Sequence, residues 1–394
     1  MISVLNLVDL LVNIVAVRIL GMNIIEVSIL NFIWTLVFVF FIKIANQLGD
    51  KGVARLQIIL GFIGIVACEI AFLGALSFRN RLFIYLSYSA HAIAYSYVRM
   101  GVNAFVFENF TSSEWGSMFR KLSSSALLID STSFITISII GVRSLLDHFS
   151  LFIAFTVTAF FLGILVIKEP SLKIERILSR IERDVSNVVT SVHGYLSLTS
   201  FENINGSVLY SYRTFLNAPP ISLKLILIGL FGFKVGNEFL FTPLPYHFIR
   251  TLGFSLDQVV KVYGIGKLVA FILYYLFQND VTKKNVFLTS IFLRIITVYI
   301  ILVSGLNDLY IAFGLGFLYL SNSVIDSNIY LLYVEATGGY GTGTYSLIGE
   351  TSSLIGVITS GYMYSTLGLW YLLAIVSILS MPKIVMALKK PDKI

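Results

Sequence analysis

Leu20-Gly-Met-Asn-Ile-Ile-Glu-Val27 and Leu252-Gly-Phe-Ser-Leu-Asp-Gln-Val259 are two versions of one pattern. Each follows an apolar run and pairs Leu-Gly with Asn23 or Ser255, a residue type that caps the helix after it. Each also places an acid in that helix's first turn, where the positive end of the helix dipole favours it. A second pair stands further along: Glu108-Asn-Phe-Thr-Ser-Ser-Glu-Trp-Gly116 and Glu335-Ala-Thr-Gly-Gly-Tyr-Gly-Thr-Gly343, with the same Glu-to-Gly distance of eight and an offset of 227. The same offset carries Arg99 onto Asp326. The matches fall in the same order in both parts of the chain. A duplicated unit is the economical account, and it organises the rest of the reading.

The composition says what solvent that unit is built for. Of 394 residues, 57% are hydrophobic and only 12% charged, and the mean hydropathy is +0.88. Soluble chains carry roughly 25% charged residues, so this one has too little polar surface to coat a water-soluble body of its size. A soluble enzyme, a disordered chain and a disulfide scaffold are excluded, and the lone Cys68 allows no internal disulfide. A helix needs about 20 mainly apolar residues to cross a bilayer core. Segments of that kind lie at 3–20, 25–45, 56–78, 82–106, 121–141 and 149–168, and again at 222–244, 257–278, 285–304, 308–333, 344–365 and 369–387. The expected fold is an all-α integral membrane protein of twelve transmembrane helices in two pseudo-symmetric six-helix bundles. Residues 1–168 form the N-terminal bundle, 169–221 a central cytoplasmic loop, and 222–394 the C-terminal bundle. Strand-like alternation with period 2 is absent, which removes a β-barrel. The first span has no basic n-region and no cleavage site, so it reads as a retained helix rather than a signal peptide.

Lys and Arg set the orientation. With both termini cytoplasmic, the inner loops and the tail, with Lys383 counted in that tail, hold 18 of the 28 basic residues and the outer loops 5. This asymmetry accounts for the net charge of +7 without any nucleic acid. The location expected is the cell membrane, multi-pass. Within the central loop, Ile174, Ile177, Leu178, Ile181 and Val185 recur at helical spacing with charges opposite, an amphipathic helix read as a connector on the inner leaflet. The rest of the loop, through Asn217-Ala-Pro-Pro220, has linker composition.

Between spans 2 and 3 stands Asn46-Gln-Leu-Gly-Asp-Lys-Gly-Val-Ala-Arg55, with a weaker counterpart, Gln278-Asn-Asp-Val-Thr-Lys-Lys284, between spans 8 and 9. With the two six-span units and the long central loop, these runs give the chain a resemblance to the major facilitator superfamily of secondary transporters, covering nearly its whole length. Asp50 and Lys51 match the family's loop signature, Asn46 replaces its first Gly, and Gly52 sits one place early. The second copy keeps Asp280 and the bases after it, including Lys283. The resemblance implies a cytoplasmic gate made of Asp50, Lys51, Arg55, Asp280 and Lys283. Two features of the family's drug antiporters are missing: Tyr88-Ser-Ala-His-Ala92 has no Arg, and 121–141 has no Pro.

A charge near mid-membrane costs at least ~2.5–3.5 kcal/mol on insertion scales, so it persists where it pairs or lines a wet cavity. Span 1 carries Asn6, Asp9 and Asn13 on one face, and span 4 carries His91, Tyr95 and Arg99. Asp130 lies in span 5, Lys234 and Glu238 one turn apart in span 7, Lys267 in span 8, Asn322 and Asp326 in span 10, Glu350 in span 11. The resemblance implies that helices 1, 4, 7 and 10 line a central cavity, flanked by 2, 5, 8 and 11. Asp9, Asn13, His91, Arg99, Asp130, Lys234, Glu238, Lys267, Asp326 and Glu350 are therefore the expected substrate and proton cavity. The competing reading makes them internal pairs: Lys234 with Glu238, Arg99 with Asp326, Lys267 with Asp130 or Glu350. Glu69 and Arg294, on helices the family places outside the cavity, read as structural. An Arg99–Asp326 contact between helices 4 and 10 would form in the inward-closed state only and separate on opening, as a latch.

Other chemistries are poorly served. None of the four His has metal-ligand spacing, and no phosphate-binding Gly-x-x-x-x-Gly-Lys-Ser/Thr run occurs. No metal, cofactor or catalytic residue is expected. The reading is a monomeric secondary transporter that moves a small polar or charged solute by alternating access, as uniport or proton symport. Its rivals are an exporter of lipophilic compounds, a polytopic membrane enzyme, and a transporter-like receptor without turnover. Acids and bases both point inward, so the sequence leaves even the sign of the solute's charge open.

Overall fold

A computed structural model describes residues 1–50, 53–109, 112–166, 222–277, 283–303, 307–337, 342–368 and 370–389. Lys51, Asp280, the side chain of Asp50 and the amphipathic stretch of the central loop lie outside the described residues. The long helices are α1 (Ile2–Arg18), α2 (Ile24–Asp50), α3 (Ala54–Phe78), α4 (Arg81–Asn109), α5 (Ser112–Ile140) and α6 (Phe149–Val166). After the central segment come α7 (Leu223–Phe241), α8 (Leu256–Phe277), α9 (Lys284–Val303), α10 (Asp308–Thr337), α11 (Thr342–Leu367) and α12 (Trp370–Lys389). A short helix, Val142–Asp147, precedes α6, and a single turn at Leu244–Tyr246 with a π-turn at His247–Thr251 extends α7. Among the described residues, seven helices are long and apolar enough to cross a membrane: α2, α3, α5, α7, α8, α9 and α10. Helices are what such apolar runs must form in lipid, where each backbone group needs a partner within its own segment. Side chains such as Ile139 and Leu165, 80% and 77% exposed, face outward as they would toward lipid. This is a multi-pass helical membrane protein.

The repeated octapeptides fold into the same corner twice. Gly21 and Gly253 take positive φ, 63° and 70°, a conformation a side chain would strain. The amide of Met22 bonds the carbonyl six residues back, Ala16, at 2.9 Å, and that of Phe254 bonds Phe248 at 2.9 Å. These bonds close the preceding helix in the same way. Asn23 and Glu26 then bond each other's backbone amides reciprocally, as do Ser255 and Gln258. Each is a capping box that starts the next helix. The acid of the first copy works in its box, whereas Gln258 takes that place in the second and leaves Asp257 free to reach elsewhere.

Helix contacts join the part of the chain before the central segment to the part after it. α5 packs along α8 and α2 along α11, while α3–α4, α2–α4, α8–α10, α7–α11 and α9–α10 are major contacts within each set. Small residues allow close approach: a Cβ on Gly316 would lie 2.6 Å from Val269, and one on Gly361 would collide with Ser28 across the α2–α11 contact. The largest apolar cluster sits at the end where α1 turns into α2 and α7 into α8. It gathers Ile14, Leu20 and Met22 with Phe72, Tyr88, Leu244, Phe248, Phe254 and Val259, all buried.

Candidate functional site

Below that cluster, midway along the helices, lies a cavity of about 380 Å3. α1 contributes Asn6, Asp9 and Asn13; α2 contributes Asn31, Trp34 and Thr35; α4 contributes Tyr88, His91 and Tyr95. From the other copy come Glu238, Phe241, Thr242, Tyr263, Lys267, Tyr319 and Asn322. The i, i+3/i+4 spacing of these residues puts each set on one helix face.

Two polar networks set the wall on the N-terminal side. The Tyr88 hydroxyl donates to Asp9 Oδ1. Asn13 Nδ2 donates to Tyr88 Oη at 3.3 Å, and Asn31 Nδ2 to Asn13 Oδ1 at 3.0 Å. Beside them, Trp34 Nε1 donates to His91 Nδ1 at 2.7 Å, and His91 Nε2 lies 2.9 Å from the Leu5 carbonyl. An indole N–H can only donate, so Nδ1 accepts and Nε2 carries the proton that Leu5 receives. Both ring nitrogens of His91 are thus engaged in tying α4 to α1 and α2, and the ring is in its neutral form. Trp34 stacks on Phe38 at 5.2 Å and lies 5.9 Å from both Tyr88 and Tyr95.

At the opposite wall Lys267 Nζ meets Asp130 Oδ2 at 2.5 Å. Asn6 Nδ2 donates to the same oxygen at 2.7 Å, and the Lys267 ammonium lies 4.7 Å from the centre of the Phe134 ring. This pair joins α5 to α8 with side chains only 2% and 12% exposed. Glu238 accepts from Thr242 at 3.2 Å, within its own helix.

Toward the other end of the helices stand two further ion pairs. Arg99 follows Tyr95 by one turn and reaches Glu350 on α11 at 3.5 Å; Lys234 precedes Glu238 by one turn and reaches Asp326 on α10 at 3.4 Å. The side chains of Arg99 and Asp326 are 46% and 45% exposed and those of Glu350 and Lys234 18% and 24%. A smaller cavity of about 90 Å3 lies beside it, lined by Ile2, Tyr95, Val98, Arg99, Val102 and Asn103.

Of the competing pairs, Lys267–Asp130 is present, whereas in this structure Arg99 and Asp326 stand at one level and pair with Glu350 and Lys234 instead of each other, as a contact confined to one state allows. Lys234 and Glu238, although one turn apart, form no ion pair among the described residues, because Asp326 on the neighbouring helix claims the lysine. Lys383 belongs to α12, not to an exposed tail, and is 1% exposed. It shares the Phe233 ring with Arg294, their charges 5.6 and 5.1 Å from its centre. Arg294 is fully buried and donates to Asn322 at 2.9 Å, while Glu69 accepts from Thr156 at 2.8 Å. Of the residues read as a gate, Arg55 lies in the first turn of α3 and Lys283 just before α9. Asn31, Trp34, Tyr263 and Tyr319 line the cavity without having been singled out. Asn31, a polar residue inside an apolar run, was a legible signal, whereas neutral aromatic side chains look the same facing lipid or cavity.

No family model matches the chain, and no curated protein matches it by sequence. Solved structures do match by shape. The crystal structure of a glutamate-to-glutamine mutant of the peptide transporter POT in complex with sulfate aligns with a TM-score of 0.61 and 13% identity, covering 98% of this chain and 92% of that one. The same mutant without sulfate gives 0.61 and 12%, over 98% and 91%. A further peptide transporter POT structure with sulfate gives 0.60 and 12%, over 98% and 92%. At this identity the likeness is one of fold. The chain is a multi-pass helical membrane protein that shares its fold with these peptide transporter structures.

Proposed function

We propose that this protein is a secondary transporter that carries a small solute across the cell membrane by alternating access. The observation that supports it is the polar cavity of about 380 Å3, enclosed by helices of both copies midway along their length. Buried polar and ionisable groups at that depth are retained for transport in membrane proteins rather than for stability. In this reading twelve helices form two six-helix bundles about the cavity, with both termini cytoplasmic. The apolar cluster then closes the outer side, and the level of Arg99, Lys234, Asp326 and Glu350 faces the cytoplasm. The conformation is inward-facing. The chain acts as a monomer, by uniport or by proton symport through cavity carboxylates.

Counterflow in proteoliposomes tests the proposal. Vesicles preloaded with a solute that stabilises the purified protein should exchange it for labelled solute outside. Binding without exchange would make the chain a receptor. An imposed pH gradient separates the two modes: symport is driven by it and uniport ignores it.

A further inference from the structure

The ion pairs leave the cavity with a sign that the sequence did not give. Its lining includes two acids, Asp9 and Glu238, and one lysine, Lys267. That lysine is bound by Asp130 at 2.5 Å. The other nearby bases are held as well, Arg99 by Glu350 and Lys234 by Asp326. His91 accepts from Trp34 and is neutral. Among the described residues, Asp9 is hydrogen-bonded by Tyr88 and Glu238 by Thr242 and Ser353, all uncharged groups. The cavity wall is therefore acidic once its internal pairs are counted. Desolvated carboxylates favour a cation beside them.

The surroundings of Lys267 show how this protein accommodates an ammonium in the same space. A carboxylate, Asp130, meets its Nζ on one side and the Phe134 ring lies 4.7 Å away. Around Asp9 the same two elements recur. Tyr88 touches the carboxylate, and Trp34, Tyr88 and Tyr95 present clustered aromatic rings with centres 5.9 Å from Trp34. A carboxylate beside aromatic rings attracts an amine by charge, and the rings offer its organic body an apolar contact. We infer that the solute bound here is an organic amine or ammonium, held through its cationic group by Asp9 or Glu238 and through its apolar body by the Trp34–Tyr88–Tyr95 rings. This rests on the cavity being the transport site. It narrows the solute to one charge class.

Three ligands of one shape test it on the full chain in nanodiscs: phenethylammonium, 2-phenylethanol and phenylacetate. The expected order of affinity is amine, alcohol, acid, with the amine ahead of the alcohol by roughly 10-fold or more. Asp9→Asn or Glu238→Gln should remove most of that margin, and unchanged thermal unfolding and size-exclusion profiles of the variants show that they are folded. Phenylacetate or the alcohol binding as tightly as the amine would overturn the inference. So would full amine affinity in both variants, or binding by none of the three. Counterflow separates this inference from the transport reading. Amine binding without exchange removes transport and keeps the charge class; exchange of anionic or neutral solutes without amine binding does the reverse.

Discussion

The two ends of the cavity are built on different physics. At the end where α1 meets α2, Ile14, Met22, Leu244, Phe248 and Phe254 bury their side chains together. Two polar contacts fasten the same end: Arg250 Nη2 donates to the Val17 carbonyl at 2.9 Å, and the Val142 amide donates to Asp257 Oδ1 at 2.6 Å. Both join one copy of the repeat to the other and satisfy helix-terminal groups that would otherwise lack partners. At the opposite end, one described contact across is the Arg99–Glu350 pair, its side chains 46% and 18% exposed. Burial of a large side chain is worth about 1.5–3 kcal/mol, whereas an exposed ion pair is worth about 0–1 kcal/mol. The strong end stays shut by exclusion of water.

The largest effect should come between the ends. Asp130→Asn leaves the Lys267 ammonium buried without its counter-charge, at a cost of about 3–5 kcal/mol. Thermal unfolding should show a large loss, and Lys267→Met in the same chain should recover most of it. A small loss for Asp130→Asn would mean that water reaches the pair and that the cavity wall is less dry than its exposure implies.

Phe248→Ala should cost about 3–5 kcal/mol of packing at the apolar end. A cysteine placed at Met22 should then become reactive to a water-soluble maleimide. Unchanged protection would show that the cluster is not what holds that end shut. Asp257→Ala should cost about 1 kcal/mol, the usual worth of a helix N-cap. Its signature is a modest rise in the same labelling, because Gly141 at the cap position has no side chain to replace the lost acceptor.

Arg99→Gln should change stability least, by under about 1 kcal/mol. A loss as large as that of Asp130→Asn would erase the contrast between the two ends. The charge-reversal pair sharpens it: Arg99→Glu with Glu350→Arg should restore whatever transport either single change removes, and Arg99→Asp with Asp326→Arg should not.

Much of this organisation is legible in the chain itself. The octapeptides beginning at Leu20 and Leu252 name the same caps the structure forms, because Gly, Asn and Ser act on their own turn and need no distant partner. The cavity residues Asp9, Asn13, His91, Glu238 and Lys267 stand out for a similar reason: a polar group inside an apolar run is costly whatever packs around it. Trp34, Tyr263 and Tyr319 do not stand out, since an aromatic ring is equally at home in lipid. Lys383 misleads for the opposite reason. Its closeness to the chain end resembles a solvated tail, yet α12 carries it beneath Phe233.

Sequence alone determined that the chain lives in a bilayer and that two of its corners share one design, because hydropathy and helix caps are properties of short stretches. Which charge meets which was decided by tertiary structure. Asp326 takes Lys234 and Glu350 takes Arg99 because ion pairing depends on a few ångströms between helices far apart in sequence. Spacing along the chain fixes the face on which a residue lies and says nothing of the neighbour it finds. The acidic sign of the cavity is the remainder after those pairings, so it could be read only once they were known.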